Sequence, residues 1–141
     1  MSIDKGMYAL PQGMGEDDDI DLPYNLPALL EKAGVDCAIS IDGSWQVRNL
    51  PFMAGTASAY GVDPERAVAM ITSVPASILG ISDRAGTLEV GKDATLIVSG
   101  GDILDMKSSS VEQAFIVGKH IDLDDVQKQL YRKYMDKYGL K

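Results

Sequence analysis

The chain has 141 residues, with 13 Lys and Arg against 21 Asp and Glu, a formal charge of −8, 45% apolar residues, one His and one Cys. That is one domain's worth of globular chain, with a radius of gyration of about 14 Å if compact, and it is too short for a complete (β/α)8 barrel of roughly 250 residues. One Cys excludes an internal disulfide framework or a Cys-rich zinc module, one His excludes a multi-His metal site built from this chain alone, and the acidic balance argues against a nucleic-acid groove lined with Lys and Arg.

Residues 1–15 lack the basic start and apolar run of a signal peptide, and no stretch approaches the roughly 18 to 20 apolar residues of a membrane span. Localisation is otherwise open. The run Glu16, Asp17, Asp18, Asp19 and Asp21 has the look of a calcium loop's opening. That loop needs Gly at its sixth place and Glu at its twelfth, where Leu22 and Ala28 stand. A solvated acidic loop is expected instead.

Asn25 is placed to cap a short helix carrying Leu26, Leu29, Leu30 and Ala33, ended by Gly34. Alternation over 35–42 predicts a strand, with Val35, Cys37, Ile39 and Ile41 on one side and Asp36, Ala38, Ser40 and Asp42 on the other. The bulky side suits a layer of helices, and the small polar side suits either the inner wall of a crowded barrel or a wet face. Cys37 reads as a core thiol rather than a nucleophile. Asp42-Gly43 breaks the strand, and a loop runs to Asn49. Pro51 opens a second helix to Tyr60, stopped by Gly61. Asp63-Pro64-Glu65 starts a third with Ala67, Met70, Ile71 and Val74 inward. Pro75 should bend or restart it at Val74, and Gly80 closes the next piece.

Beyond Ser82 the pattern turns to short strands at 87–89, 94–99 and 113–117, with Gly118-Lys119 turning the last into His120-Ile121. A helix is expected from Asp122 to about Tyr138. Asp122 would cap it, Leu123, Val126, Leu130 and Tyr134 would form a packing stripe, and Arg132, Lys133 and Lys137 would favour its carboxy-terminal dipole. No internal repeat is evident. The chain thus divides into 1–82 and 83–141.

Three runs carry a family resemblance: Asn49 to Ala57 (NLPFMAGTA); 67–81 with Thr72, Pro75-Ala76 and Ile78-Leu79-Gly80; and Asp83 to Ala94 (DRAGTLEVGKDA). Together they resemble the carboxy-terminal end of the amidohydrolase superfamily, most like its imidazolonepropionase-like and prolidase-like members, over about Leu22 to Ile121. The third run is the strongest signal. Departures are Thr95 where the family usually has Asp, Val74-Pro75 where Asn-Pro is frequent, and Ile103 in place of a proline.

The resemblance implies an α/β fold: the end of a (β/α)8 barrel over 1–82, with 35–42 as its eighth strand, then the returning half of a small composite β-sandwich and a terminal helix over 83–141. It implies hydrolysis of carbon–nitrogen bonds in an amide, cyclic amide or dipeptide-like substrate, with one or two divalent metals, commonly zinc. Of the family's ligands, only the aspartate ending the eighth strand has a counterpart, Asp42. A carboxylate there can ligate metal, accept a proton from the attacking water and pass it to the leaving nitrogen. Asp42-Gly43 also suits a plain turn, but with the flanking match the ligand role is preferred. Trp45 and Arg48 either line a substrate pocket or pack within their loop. His120, in the terminal hairpin, reads as structural.

The first six barrel strands are absent, and a remnant of the seventh is expected at most around 7–10. One carboxylate cannot hold a catalytic zinc that takes three protein ligands, so the chain alone is expected to bind no metal and to be inactive. Its uncovered edges predict pairing with the remaining barrel strands or self-association. The alternative is a truncated, non-catalytic interaction or structural module.

Overall fold

A computed structural model describes residues 19–41 and 43–140. The expectations for Glu16 to Asp18, for a strand remnant at 7–10 and for Asp42 lie outside the described residues.

Helix α1 spans Leu22–Lys32. It begins three residues before the expected Asn25 cap, because Pro23 falls in its first turn, where a missing N–H costs nothing and the fixed φ favours the helix. Gly34 ends it at φ +73°. The Val35 N–H reaches the Leu30 carbonyl at 2.9 Å and the Gly34 N–H reaches Glu31 at 2.9 Å, a pairing that needs a left-handed residue between. Upstream, the Asp19 carboxylate accepts the Asp21 N–H at 2.9 Å, so this end of the acidic run folds on its own backbone.

Residues 35–41 belong to no helix or strand, which corrects the expected strand over 35–42. The alternation itself holds in the middle: Cys37 and Ile39 are buried, and Asp36 and Ser40 are exposed. A strand, however, exists through ladder bonds to a neighbour, and among the described residues no strand runs beside this segment. The Ile39 N–H donates to the Met70 carbonyl at 3.0 Å instead.

A 3-10 turn, Val47–Asn49, leads into α2, Leu50–Ala59. Helix α3, Pro64–Ala69, is capped by Asp63, whose carboxylate accepts the Glu65 and Arg66 N–H groups at 3.0 and 3.3 Å. Helix α4, Ser73–Ile78, follows a turn at Met70–Thr72. The break therefore falls before Val74 and Pro75, and the proline is accommodated in the first turn of the new helix. Ala28 of α1, Met53, Ala54 and Ala57 of α2, Val62, and Ala67 and Met70 at α3 form one core with Cys37 and Ile39. Alanines let these helices approach closely over the 37–39 segment. Arg66 ties α1 to it from outside, 3.3 Å from Glu31 and 2.8 Å from Asp36.

The second half holds an antiparallel sheet of β1, Leu96–Ser99, β2, Val111–Ile116, and β3, Lys119–Ile121, in that order. Leu96 faces Phe115, and the register slips between Val98 and Ser99. Ile116 pairs with Lys119, so the hairpin turn is Val117-Gly118, one residue before the expected one. Both turn residues have positive φ, +50° and +76°, as a tight two-residue hairpin demands. The run 87–89, expected as a strand, is irregular. Helix α5, Val126–Tyr138, starts four residues later than expected, with Asp125 as its cap through the Lys128 N–H at 2.8 Å. Asp122 instead accepts the Asp124 N–H at 2.9 Å. No residue of α5 is buried, which corrects the reading of its stripe as a packing face.

Candidate functional site

The segment 35–41 delivers the chain from a buried middle to an exposed turn. After it the Gln46 N–H closes on the Gly43 carbonyl at 3.1 Å, and the Asn49 N–H closes on Gln46 at 2.7 Å. The Asn49 side-chain amide adds a 2.9 Å bond to the Gln46 side chain. This scaffold holds Trp45 and Arg48 together, with the guanidinium carbon 5.6 Å from the indole ring centre. Trp45 remains 79% exposed. A cation resting on an exposed indole is a sticky, solvent-facing pair, so the structure unites two of the three expected site residues. Asp42, beside them in sequence, lies outside the description.

Other candidate groups are committed elsewhere. Cys37 is fully buried, and burial pushes its thiol above the ordinary range, which opposes a thiolate nucleophile. His120 stands exposed on β3, with its ring edge-on to Phe115 at 5.3 Å. A cleft of about 340 Å³, missed from the sequence, lies between the β2–β3 hairpin and the start of α5, lined partly by Glu112, His120, Asp124 and Lys128. Asp124 and Lys128 are tied up locally. Asp124 meets Arg132 at 2.6 Å, and that bond holds its carboxyl below the usual carboxylate range. The Lys128 ammonium donates to the Leu123 carbonyl at 2.8 Å. Among the described residues no group of three His, Cys, Asp or Glu side chains is placed to hold a metal ion.

The run 83–94 proves to be a self-closing loop. Arg84 pairs with Asp93 at 3.1 Å, and the Asp93 N–H returns to the Arg84 carbonyl at 2.8 Å. Lys92 bonds both Thr87 and Glu89, and those two bond each other at 2.7 Å. These contacts pull the Glu89 carboxyl below its ordinary value, the Thr87 hydroxyl first among them. Thr95, an apparent departure from the family pattern, uses its hydroxyl to accept the Val117 N–H at 3.1 Å. The acceptor that an aspartate would offer is therefore still present.

The described residues form helices packed on one core segment plus a three-stranded antiparallel sheet. A profile of the amidohydrolase family matches residues 24–127. The chain belongs to the amidohydrolase family. An amidohydrolase from Thermotoga maritima MSB8 is similar at 34% identity and a TM-score of 0.66, over 79% of this chain and 30% of that one. A zinc-bound adenosine deaminase from Xanthomonas campestris shares the fold at 23% identity and a TM-score of 0.51, over 82% of this chain and 34% of that one. The chain thus spans about a third or less of these structures. No curated protein matches it.

Proposed function

We propose that these residues are the carboxy-terminal part of a metal-dependent amidohydrolase that cleaves carbon–nitrogen bonds in a small amide, cyclic amide or dipeptide-like substrate. The observation that carries this reading is the 35–41 segment. It buries Cys37 and Ile39 against helices on one side, yet has no neighbouring strand among the described residues. A closing barrel strand has a strand beside it on each side, and strands from the other two-thirds of a relative's length would supply them. In this reading the segment is the closing barrel strand, residues 83–121 are part of a composite sandwich, and Asp42 stands at the strand's carboxy-terminal end, where catalytic groups of such barrels gather.

Asp42 would contribute one ligand to a divalent metal, with zinc favoured, and a carboxylate able to hold the water's proton. Trp45 and Arg48 would form part of the pocket wall, the guanidinium offering donors to a substrate carboxylate or carbonyl. The remaining metal ligands would come from outside this sequence, and these residues alone would be inactive.

The test is metal analysis of the 141-residue chain and of the same residues within any longer reading frame encoded upstream. A frame containing His-x-His, zinc bound by the long product, and loss of that zinc in Asp42→Ala are the expected results. Stoichiometric zinc on the 141 residues alone, or a long product that keeps its zinc in Asp42→Ala, would overturn the assignment.

A further inference from the structure

The turn that follows residue 42 presents an isolated positive charge. Arg48 is the one charged side chain among residues 43–62, in a chain that is 24% charged and carries 21 Asp and Glu. It is exposed, and among the described residues its guanidinium meets the Trp45 ring and no carboxylate. The polar groups beside it are committed to the turn itself. The Asn49 side-chain amide donates to the Gln46 side chain at 2.9 Å, and Asn49 makes no side-chain cap on α2. Arg48 lies in the 3-10 turn that leads straight into that helix. The start of a helix is the positive end of its dipole, where a cation is disfavoured and an anion favoured. Apolar surface flanks the guanidinium in solvent, Trp45 at 79% and Val47 at 55% exposed.

We infer that Arg48 and Trp45 form an anion subsite, and that the substrate of the proposed hydrolase is an amide that itself carries a carboxylate. This rests on the reading above, in which Asp42 serves the metal and the 43–49 turn stands at the barrel mouth. It goes further in choosing a carboxylate over a neutral carbonyl as the partner of the guanidinium. The planar fork of Arg N–H donors matches the two oxygens of a carboxylate. One bound anion answers both the isolated guanidinium and the positive helix start, whereas a neutral carbonyl answers neither charge. A single Arg also balances a single negative charge. A phosphate monoester, at about −1.5 to −2, would bring excess negative charge to a chain of net −8. The exposed indole offers its remaining surface to a planar or apolar acyl group of the same molecule.

Trp45 is the protein's single tryptophan, so its fluorescence reports on this turn. The test titrates the 141-residue chain, in EDTA and at constant ionic strength, with N-benzoylglycine, its neutral amide N-benzoylglycinamide, and phenyl phosphate. A saturable change is expected with N-benzoylglycine, at an affinity at least about threefold above that of the amide, the scale of an exposed ion pair, and above that of phenyl phosphate. Arg48→Met should abolish the preference for the acid. Arg48→Lys should restore part of it, because an ammonium keeps the charge without the fork. Arg48 is exposed, so the helical circular dichroism should be unchanged in both variants. The comparison of acid with amide needs no variant at all. No saturable change, an equal response to acid and amide, a preference that survives in Arg48→Met, or tighter binding of phenyl phosphate would each overturn the inference. The readout needs neither metal nor turnover, so its failure leaves the zinc assignment of Asp42, which metal analysis reads separately, where it stood.

Discussion

Gly55 sits inside α2 with ordinary helical backbone, so its missing side chain is a matter of space. A Cβ there would lie 2.1 Å from the carbonyl oxygen of Leu104, whose side chain packs on the core. Backbone cannot swing aside as a flexible side chain can. Gly55→Ala should therefore destabilise by about 1–3 kcal/mol through overpacking, outweighing the up to ~1 kcal/mol that Ala gains over Gly within a helix. The check is a lower denaturant midpoint at unchanged slope. This contact joins the helical half to the loop before β2, and no periodicity in the sequence foretells it. Cys37, by contrast, was readable as a core thiol, because its neighbours two residues away are apolar. Trp45 and Arg48 were readable as candidates, but their stacking was not, since it depends on the turn that Gly43 and Gln46 close.

At the scale of elements, local chemistry located most helices and the structure moved their ends. Asp63-Pro64 began α3 as written, because the cap bonds its own next turn. Asn25 falls inside α1, whose boundary residue Asp21 makes no side-chain cap bond, and Asp122 lost the capping role at α5 to Asp125. Candidate caps within a few residues of one another differ by little energy, so packing and prolines choose among them. The hairpin turn stores a cost: Val117 adopts φ +50° while 66% exposed. A branched residue in the left-handed region is disfavoured by about 1–2 kcal/mol, and little buried surface is forfeited by removing it. Val117→Gly should raise stability by about 1 kcal/mol, visible as a higher midpoint for loss of the sheet. An unchanged or lowered midpoint would mean that the Val117 side chain contributes more than its strain costs.

For the molecule as a whole, acid is the informative perturbation. Glu89, Asp105 and Asp124 all titrate below their ordinary values, held respectively by bonds from Thr87, Ser108 and Arg132. A carboxylate whose folded value is depressed contributes stability that is complete above the unfolded value and disappears as pH falls through the folded one. The denaturant midpoint should hold from about pH 7 to about pH 5 and decline below about pH 4. Asp124→Asn should start lower at neutral pH and fall less steeply in acid. All three groups are exposed, so screening by salt should shrink the effect.

The amino-acid sequence alone determined the helical punctuation, the alternation over 37–40, the acidic charge and the motif run by which the family could be recognised. These are properties of neighbours along the chain, where caps, prolines and spacing act within a turn or two. Tertiary structure decided that 35–41 runs beside no strand among the described residues, that Leu104 reaches across to Gly55, and that α5 buries none of its apolar stripe among the described residues. Each depends on what stands opposite a segment in space, and a pattern that names a face does not name what covers it.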